Sequence, residues 1–214
     1  MKIFIASLFI AVSLMACAQQ SKSGLKIPMG DHKAPATKEA VANFSEGCFW
    51  HAEIVFQSLV GVRDAVSGYA GGHDTSPTYE KVASGETGHA ETVQVYYDPA
   101  KISYETLVQA FFASQDPTTP NRQGNDEGTE YRSIAFYRND AEKQIIEKTI
   151  KQLTDSKKYG SKIVTQVVPF SQFYPAEDYH QEYISNNPQN PYVQNVSIPD
   201  FLEFKKEFKG SFKN

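Results

Sequence analysis

From residue 41 onward the apolar residues switch repeatedly between a two-residue and a helical period, and this alternation limits the fold more than any other feature of the chain. Val41 to Ser45 reads as a short strand, and Gly47 allows a turn after it. Beginning at Cys48, Phe49, Ala52, Val55, Phe56 and Leu59 lie at helical spacing as far as Gly61. Val62 to Tyr69 reads as a second strand, closed by Gly71 and Gly72, and Thr92 to Tyr97 as a third, closed by Asp98 and Pro99. Ser103 is placed to cap a helix running to Ser114, with Leu107, Val108 and Phe111 on one face. Tyr131 to Arg138 then reads as a strand, an Asn139-capped helix runs through Leu153, Ile163 to Val168 is a fifth strand, and Ala176 to Ser185 a short helix. Alternation of this kind in one compact unit predicts a mixed sheet with helices packed on it, an α+β two-layer sandwich with Cys48 at the N-terminus of the first helix.

The first forty residues stand outside this pattern. Lys2 gives a positive start, and Ile3 to Ala16 is an uncharged apolar run, short for a transmembrane helix and suited to the h-region of a secretory signal. It ends in Leu14-Met15-Ala16-Cys17, which resembles a bacterial lipobox, where the cysteine is lipidated and becomes the first mature residue. Residues 1–16 are therefore expected to be a lipoprotein-type signal peptide, and 17–40, rich in Ala, Gln, Ser, Lys, Gly and Pro, a lipid-anchored flexible linker. Residues 41–208 then form one domain and 209–214 a short tail. Phe201, Phe204 and Phe208, at helical spacing, predict a docked helix between Pro199 and Phe212. The expected location is the bacterial cell envelope, as a periplasmic or outer-membrane-associated lipoprotein. The net charge of -4 has no block of like sign behind it, and no basic face suits nucleic acid. With no spare apolar helix, a monomer is expected.

The chain has two cysteines, and an exported protein would ordinarily pair them. A thioether at Cys17 leaves Cys48 alone. The neighbours of Cys48 argue against a merely structural thiol, because Ser45-Glu46-Gly47-Cys48-Phe49-Trp50-His51-Ala52-Glu53 sets the sole tryptophan of the chain beside it. At a helix start, unpaired backbone N–H groups and the helix dipole favour the thiolate, so this placement is expected to lower the thiol pKa and activate a nucleophile.

Three further stretches are rich in polar groups, the last two around glycines: Pro77 to Val82, Ser84 to Glu91, and Arg122 to Ser133. Together with Gly47-Cys48-Phe49-Trp50 and Phe173-Tyr174-Pro175-Ala176-Glu177-Asp178-Tyr179-His180-Gln181 they resemble the type A methionine sulfoxide reductases, which reduce the S epimer of methionine sulfoxide. The resemblance runs from about Phe44 to Pro191, with the motifs in the family's order. It implies a ferredoxin-like plait core, no cofactor beyond an external thiol reductant, and free or protein-bound methionine sulfoxide as substrate. It also implies roles. Cys48 is the nucleophile and passes through a sulfenic acid, Glu91 is the acid, Tyr79 and Tyr131 donate to the sulfoxide oxygen, Asp126 orders the site, and Phe49 and Trp50 wall a pocket for the S-methyl group. Chemistry asks for these types independently. A thiolate attacks sulfur only while the oxide gains a proton, and a methyl beside sulfur packs well on aromatic faces.

Many members of the family carry further cysteines near the C-terminus that attack the sulfenic acid. Here no cysteine follows Cys48. The expectation is a single-cysteine enzyme, regenerated by an external thiol or a thioredoxin-like partner, that repairs oxidised envelope proteins. His51, His89 and His180 lack ligand spacing, so no metal is expected, and His89 is expected to border the site. Two other readings compete. A thiol peroxidase would need an arginine near the thiol, and none lies close to Cys48 in sequence. A domain that binds oxidised peptides without reducing them would keep its binding after Cys48→Ser.

Overall fold

The computed structural model describes residues 29–31 and 38–213; Cys17, the expected signal peptide and most of the linker lie outside the described residues. Strand β1 (Ala40–Glu46) carries the fully buried Phe44, around which the two layers assemble. Its ring stacks at 5.0 Å on Phe56 of α1 (Phe49–Gln57) and at 5.1 Å on Phe111 of α3 (Tyr104–Ala113), so both helices pack on the same face of the sheet. Between them come β2 (Val62–Ala70), the short α2 (Tyr79–Ala83) and β3 (Ala90–Tyr97). Ser103 begins α3 as expected, its Oγ accepting the Thr106 N–H at 3.1 Å, a cap worth about 1 kcal/mol. After α3 follow a two-residue hairpin, β4 (Arg122–Gln123) with β5 (Asp126–Glu127), then β6 (Ser133–Tyr137) and α4 (Asp140–Asp155), capped by Asn139. Short strands β7 (Gln166–Pro169) and β8 (Phe173–Pro175) lead to α5 (Tyr183–Asn186) and α6 (Ile198–Glu207).

The main sheet runs β7-β6-β1-β3-β2-β8. Its four central strands are antiparallel, and the connection β1-α1-β2-β3-α3-β6 makes them the ferredoxin-like plait that the resemblance implied. At one edge β7 joins β6 in parallel, which makes the sheet mixed; at the other β8 adds antiparallel to β2.

The departures from the sequence reading have local causes. Tyr131 falls in a 3-10 turn (Thr129–Tyr131) rather than in a strand, its N–H closing on the Gly128 carbonyl at 3.1 Å. The expected helix from Ala176 to Ser185 is divided into a 3-10 turn (Asp178–His180) and α5. Glu182 breaks it at φ 53°, held left-handed while its N–H donates to Glu53 Oε1 at 2.7 Å. Helix α1 ends at Gln57, short of Gly61, and has almost no solvent face. His51, Glu53 and Gln57 are buried along with the apolar stripe, because α5 and α6 pack over them. Phe201 and Phe204 anchor the expected C-terminal helix. Residues 209–213 belong to the packed unit as well: the Val60 N–H donates to the Ser211 carbonyl, the Lys213 N–H to that of Ser58, and Phe212 meets Phe204 edge-on at 5.7 Å. No helix of the described residues is long and apolar enough to cross a membrane.

Candidate active site

Gly47 decides how β1 turns into α1. Its φ is +92°, and a Cβ there would lie 2.6 Å from the Gln123 side chain, so only glycine fits. Cys48 is the residue before the first helical turn, and its carbonyl accepts the N–H groups of His51 at 3.1 Å and Ala52 at 3.2 Å. The expected lowering of its pKa is not what the surroundings produce. Burial pushes the thiol well up, and the carboxylates of Glu91 and Asp126 push it further; the N–H groups of Trp50 and His51 pull it down without prevailing. The helix start does supply donors, but desolvation and two neighbouring carboxyls outweigh them.

Glu91, on β3, is 3% exposed, and its Oε2 accepts the Phe49 N–H at 2.9 Å. Burial raises its pKa to about 8; the Phe49 N–H opposes this, and Asp126 and Glu130 add to it. At neutral pH Glu91 therefore carries a proton, so its push on the Cys48 thiol comes into force only once it ionises, and burial and Asp126 act before that. Tyr79 opens α2, and its N–H donates to Glu177 Oε1 at 3.0 Å, while the Tyr69 hydroxyl holds the other oxygen of Glu177 at 2.8 Å. Burial pushes the Tyr79 phenol up to about 12 and that of Tyr131 higher still, with Glu91 and Cys48 adding to both. Both phenols thus remain proton-bearing donors, within electrostatic reach of Cys48 and Glu91. Asp126, on β5, takes a 2.5 Å hydrogen bond from the Tyr192 hydroxyl, which also faces the Cys48 thiol.

The aromatic wall is wider than Phe49 and Trp50. The Trp50 indole stacks on Tyr183 at 3.7 Å and 6°, and its Nε1–H donates to His180 Nδ1 at 3.2 Å. His180 in turn lies 4.5 Å from the Tyr79 ring and 5.0 Å from that of Phe49. All seven residues expected from sequence, Cys48, Phe49, Trp50, Tyr79, Glu91, Asp126 and Tyr131, come together here. Tyr183 and Tyr192 were missed, and His180 had a motif but no role. Glu53 seats this segment from inside the fold, taking the Ser67 hydroxyl at 2.5 Å and the Glu182 N–H. His89 does not offer the site a free nitrogen. Nδ1 accepts the Gly72 N–H at 3.0 Å and Nε2 meets the Asp74 carbonyl at 2.8 Å, so its ring braces a turn. Among the described residues no group of three or more His, Cys, Asp or Glu side chains is placed to hold a metal ion.

Known proteins share this architecture. Residues 40–211 match the family model for peptide methionine sulfoxide reductase. The peptide methionine sulfoxide reductase MsrA of Pasteurella multocida is 47% identical over 177 residues, 83% of this chain and 99% of that protein. Reduced Mxr1 from Saccharomyces cerevisiae is similar at a TM-score of 0.68 and 37% identity, covering 74% of this chain and 91% of its own. Mxr1 in complex with Trx2 is similar at a TM-score of 0.51 and 27% identity, over 72% and 92% of the two chains. An acid that keeps its proton beside a lone thiol suits reduction of an oxide, and identity sustained over nearly the whole length of such relatives means that this chain belongs to the peptide methionine sulfoxide reductases.

Proposed function

We propose that the chain reduces the S epimer of methionine sulfoxide, free and in proteins, with Cys48 as nucleophile. The observation that carries this is the proton-bearing Glu91, fixed by the Phe49 N–H next to Cys48. The sulfoxide oxygen lies among Glu91, Tyr79 and Tyr131, and the S-methyl group against Phe49 and Trp50. Glu91 gives its proton to the oxygen, which makes the substrate sulfur cationic and reverses the electrostatics that raised the Cys48 pKa. The thiol proton passes to the vacated carboxylate as Cys48 Sγ attacks. The sum is Cys48–SH plus sulfoxide giving Cys48–SOH plus the thioether.

No cysteine follows Cys48, so the electrons for its recovery come from an external thiol or a thioredoxin-like partner. The complex of Mxr1 with Trx2 supports a protein reductant. The lipobox-like Leu14-Met15-Ala16-Cys17 supports an exported enzyme held to a membrane at Cys17, where it repairs envelope proteins; a monomer is proposed because the sequence offers no spare apolar helix. Fractionation that finds the mature protein wholly soluble removes that anchor.

The deciding experiment is reduction of each epimer with dithiothreitol and with a thioredoxin, beside turnover of hydrogen peroxide. Activity confined to the S epimer and lost in Cys48→Ser is expected; faster turnover of peroxide than of sulfoxide would overturn the reading. Mass spectrometry after one turnover without reductant should find Cys48 as sulfenic acid or as an adduct of added thiol. A Cys17–Cys48 disulfide would instead mean internal regeneration.

A further inference from the structure

Cys48 has a second approach that the sulfoxide chemistry leaves unused. A cleft of about 740 Å³ reaches it, bordered also by Asp126, yet Phe49, Trp50, Tyr79, Glu91 and Tyr131 take no part in its wall. Its wall holds buried polar atoms without protein partners. His51 is 9% exposed, and neither Nδ1 nor Nε2 is hydrogen-bonded; the Ser114 and Ser197 carbonyls lie near the ring outside bonding geometry. Glu46 is 1% exposed and takes the Ser114 hydroxyl on Oε2 at 2.9 Å, but its Oε1 has no partner, and neither has Ser197 Oγ. A buried polar atom left unsatisfied costs about 1–3 kcal/mol, so a protein seldom keeps several on one wall unless something transient meets them.

We propose that the regenerating thiol reaches the Cys48 sulfenic acid through this cleft, with His51 as the base that takes its proton and the surrounding carboxylates selecting against anionic thiols. This rests on the reductase reading and adds the route, the base and the class of reductant. Displacement at sulfur runs in line, so a thiolate must approach Sγ away from the departing oxygen. The oxygen belongs with the donors of the aromatic side, and the cleft is the approach that bypasses them. His51 removes the proton of the incoming thiol, and burial, which lowers the His51 pKa, keeps the ring neutral and ready to accept. The new thiolate attacks Sγ, the S–O bond breaks, and Glu91 protonates the oxygen, which leaves as water. A second thiol passes its proton to the Glu91 carboxylate, and its thiolate attacks the outer sulfur of the mixed disulfide and releases Cys48 as thiolate. His51 returns a proton, so two thiols become one disulfide while Cys48–SOH becomes Cys48–SH and water.

Charge sets the selectivity. Asp116, Asp126, Asp200, Glu203 and Glu207 line the cleft against Arg122 and Lys158, and Lys158 is already paired with Glu207 at 3.2 Å; Glu46 adds little charge, because burial pushes its pKa well up. Asp200 is exposed on α6 and, with Asp126, acts electrostatically on His51. A cationic or neutral thiol is favoured there and an anionic one repelled.

The two half-reactions separate the inference from the reading beneath it. His51→Asn should lower kcat/KM for dithiothreitol roughly 100-fold, within the range of general-base effects, while the burst of methionine formed without reductant keeps its rate within about twofold. Asp200→Asn, an exposed change, should shrink the preference for cysteamine over 3-mercaptopropionate several-fold, with added salt doing the same to the wild type. An unchanged thiol step in His51→Asn, or a preference that Asp200→Asn leaves intact, would overturn the proposal. Equal slowing of both halves by His51→Asn would make its role structural. Absence of the burst in the wild type would instead sink the reductase reading.

Discussion

The two sides of Cys48 are built on opposite principles. On the aromatic side the fully buried polar atoms are mostly partnered: Glu91 Oε2 holds the Phe49 N–H, Trp50 is tied to His180, and both oxygens of Glu177 are occupied, with His180 Nε2 left over. On the cleft side His51, Glu46 and Ser197 present buried atoms with none. A satisfied, stacked wall is pre-organised for one small group of fixed shape, whereas unpaired polar atoms around an open cleft suit a visitor that comes and leaves. One thiol can thus face a specific substrate and a less specific reductant without the two sharing a pocket.

The contrast can be broken from the aromatic side first. Glu91→Gln should lower the rate of the sulfoxide step by about 10²–10³-fold, measured by single-turnover methionine release. In the wild type that step should decline as pH rises through about 8, where Glu91 loses its proton, and the variant should lack this limb. Next comes the buried support beneath the wall. Burial lifts Glu53 from the ordinary 4.5 to about 8, so its contribution to stability is complete below 4.5 and is lost as pH rises through 8. Glu53→Gln should therefore flatten the fall in urea-unfolding free energy between pH 5 and pH 9 by an amount on the order of 2 kcal/mol, with the other buried carboxyls, Glu46 and Glu91, carrying the remaining slope. Tyr183→Ala removes the stack under Trp50 and should raise KM for the sulfoxide by about fivefold, consistent with an aromatic pair of about 1 kcal/mol, while kcat for the thiol step stays put. The smallest change is Tyr192→Phe. Its hydroxyl stands between the two sides, bonded to Asp126 and facing Cys48, so a loss of about threefold to fivefold should appear in both half-reactions. A Tyr192→Phe effect confined to one half would assign that residue to one side alone.

Much of the site was legible because it is local. Gly47 through Trp50 states its own geometry: a residue that tolerates φ +92°, a thiol at a helix start, then two aromatics. Phe56 and Phe111 announced the core by their helical spacing, and Ser103 and Asn139 announced two caps. The strands β4, β5 and β8, of two or three residues, are too short to carry a period, and each is held by its partner strand rather than by its own pattern. The chain between Ala176 and Ser185 looked helical until the Glu182 N–H found Glu53, a contact 129 residues away that favours a left-handed residue over another helical turn.

The sequence by itself determined which groups are available for the proposed chemistry: a single thiol after residue 17, and the carboxyl and phenols in the motifs that accompany it. Their electrostatic state was settled only by tertiary structure. A helix start alone would acidify Cys48, but the fold buries the thiol beside Glu91 and Asp126 and raises its pKa, and the same burial lets Glu91 keep its proton. Local geometry fixes where donors point, whereas desolvation depends on every element packed around the site, and here that includes helices more than a hundred residues downstream of Cys48.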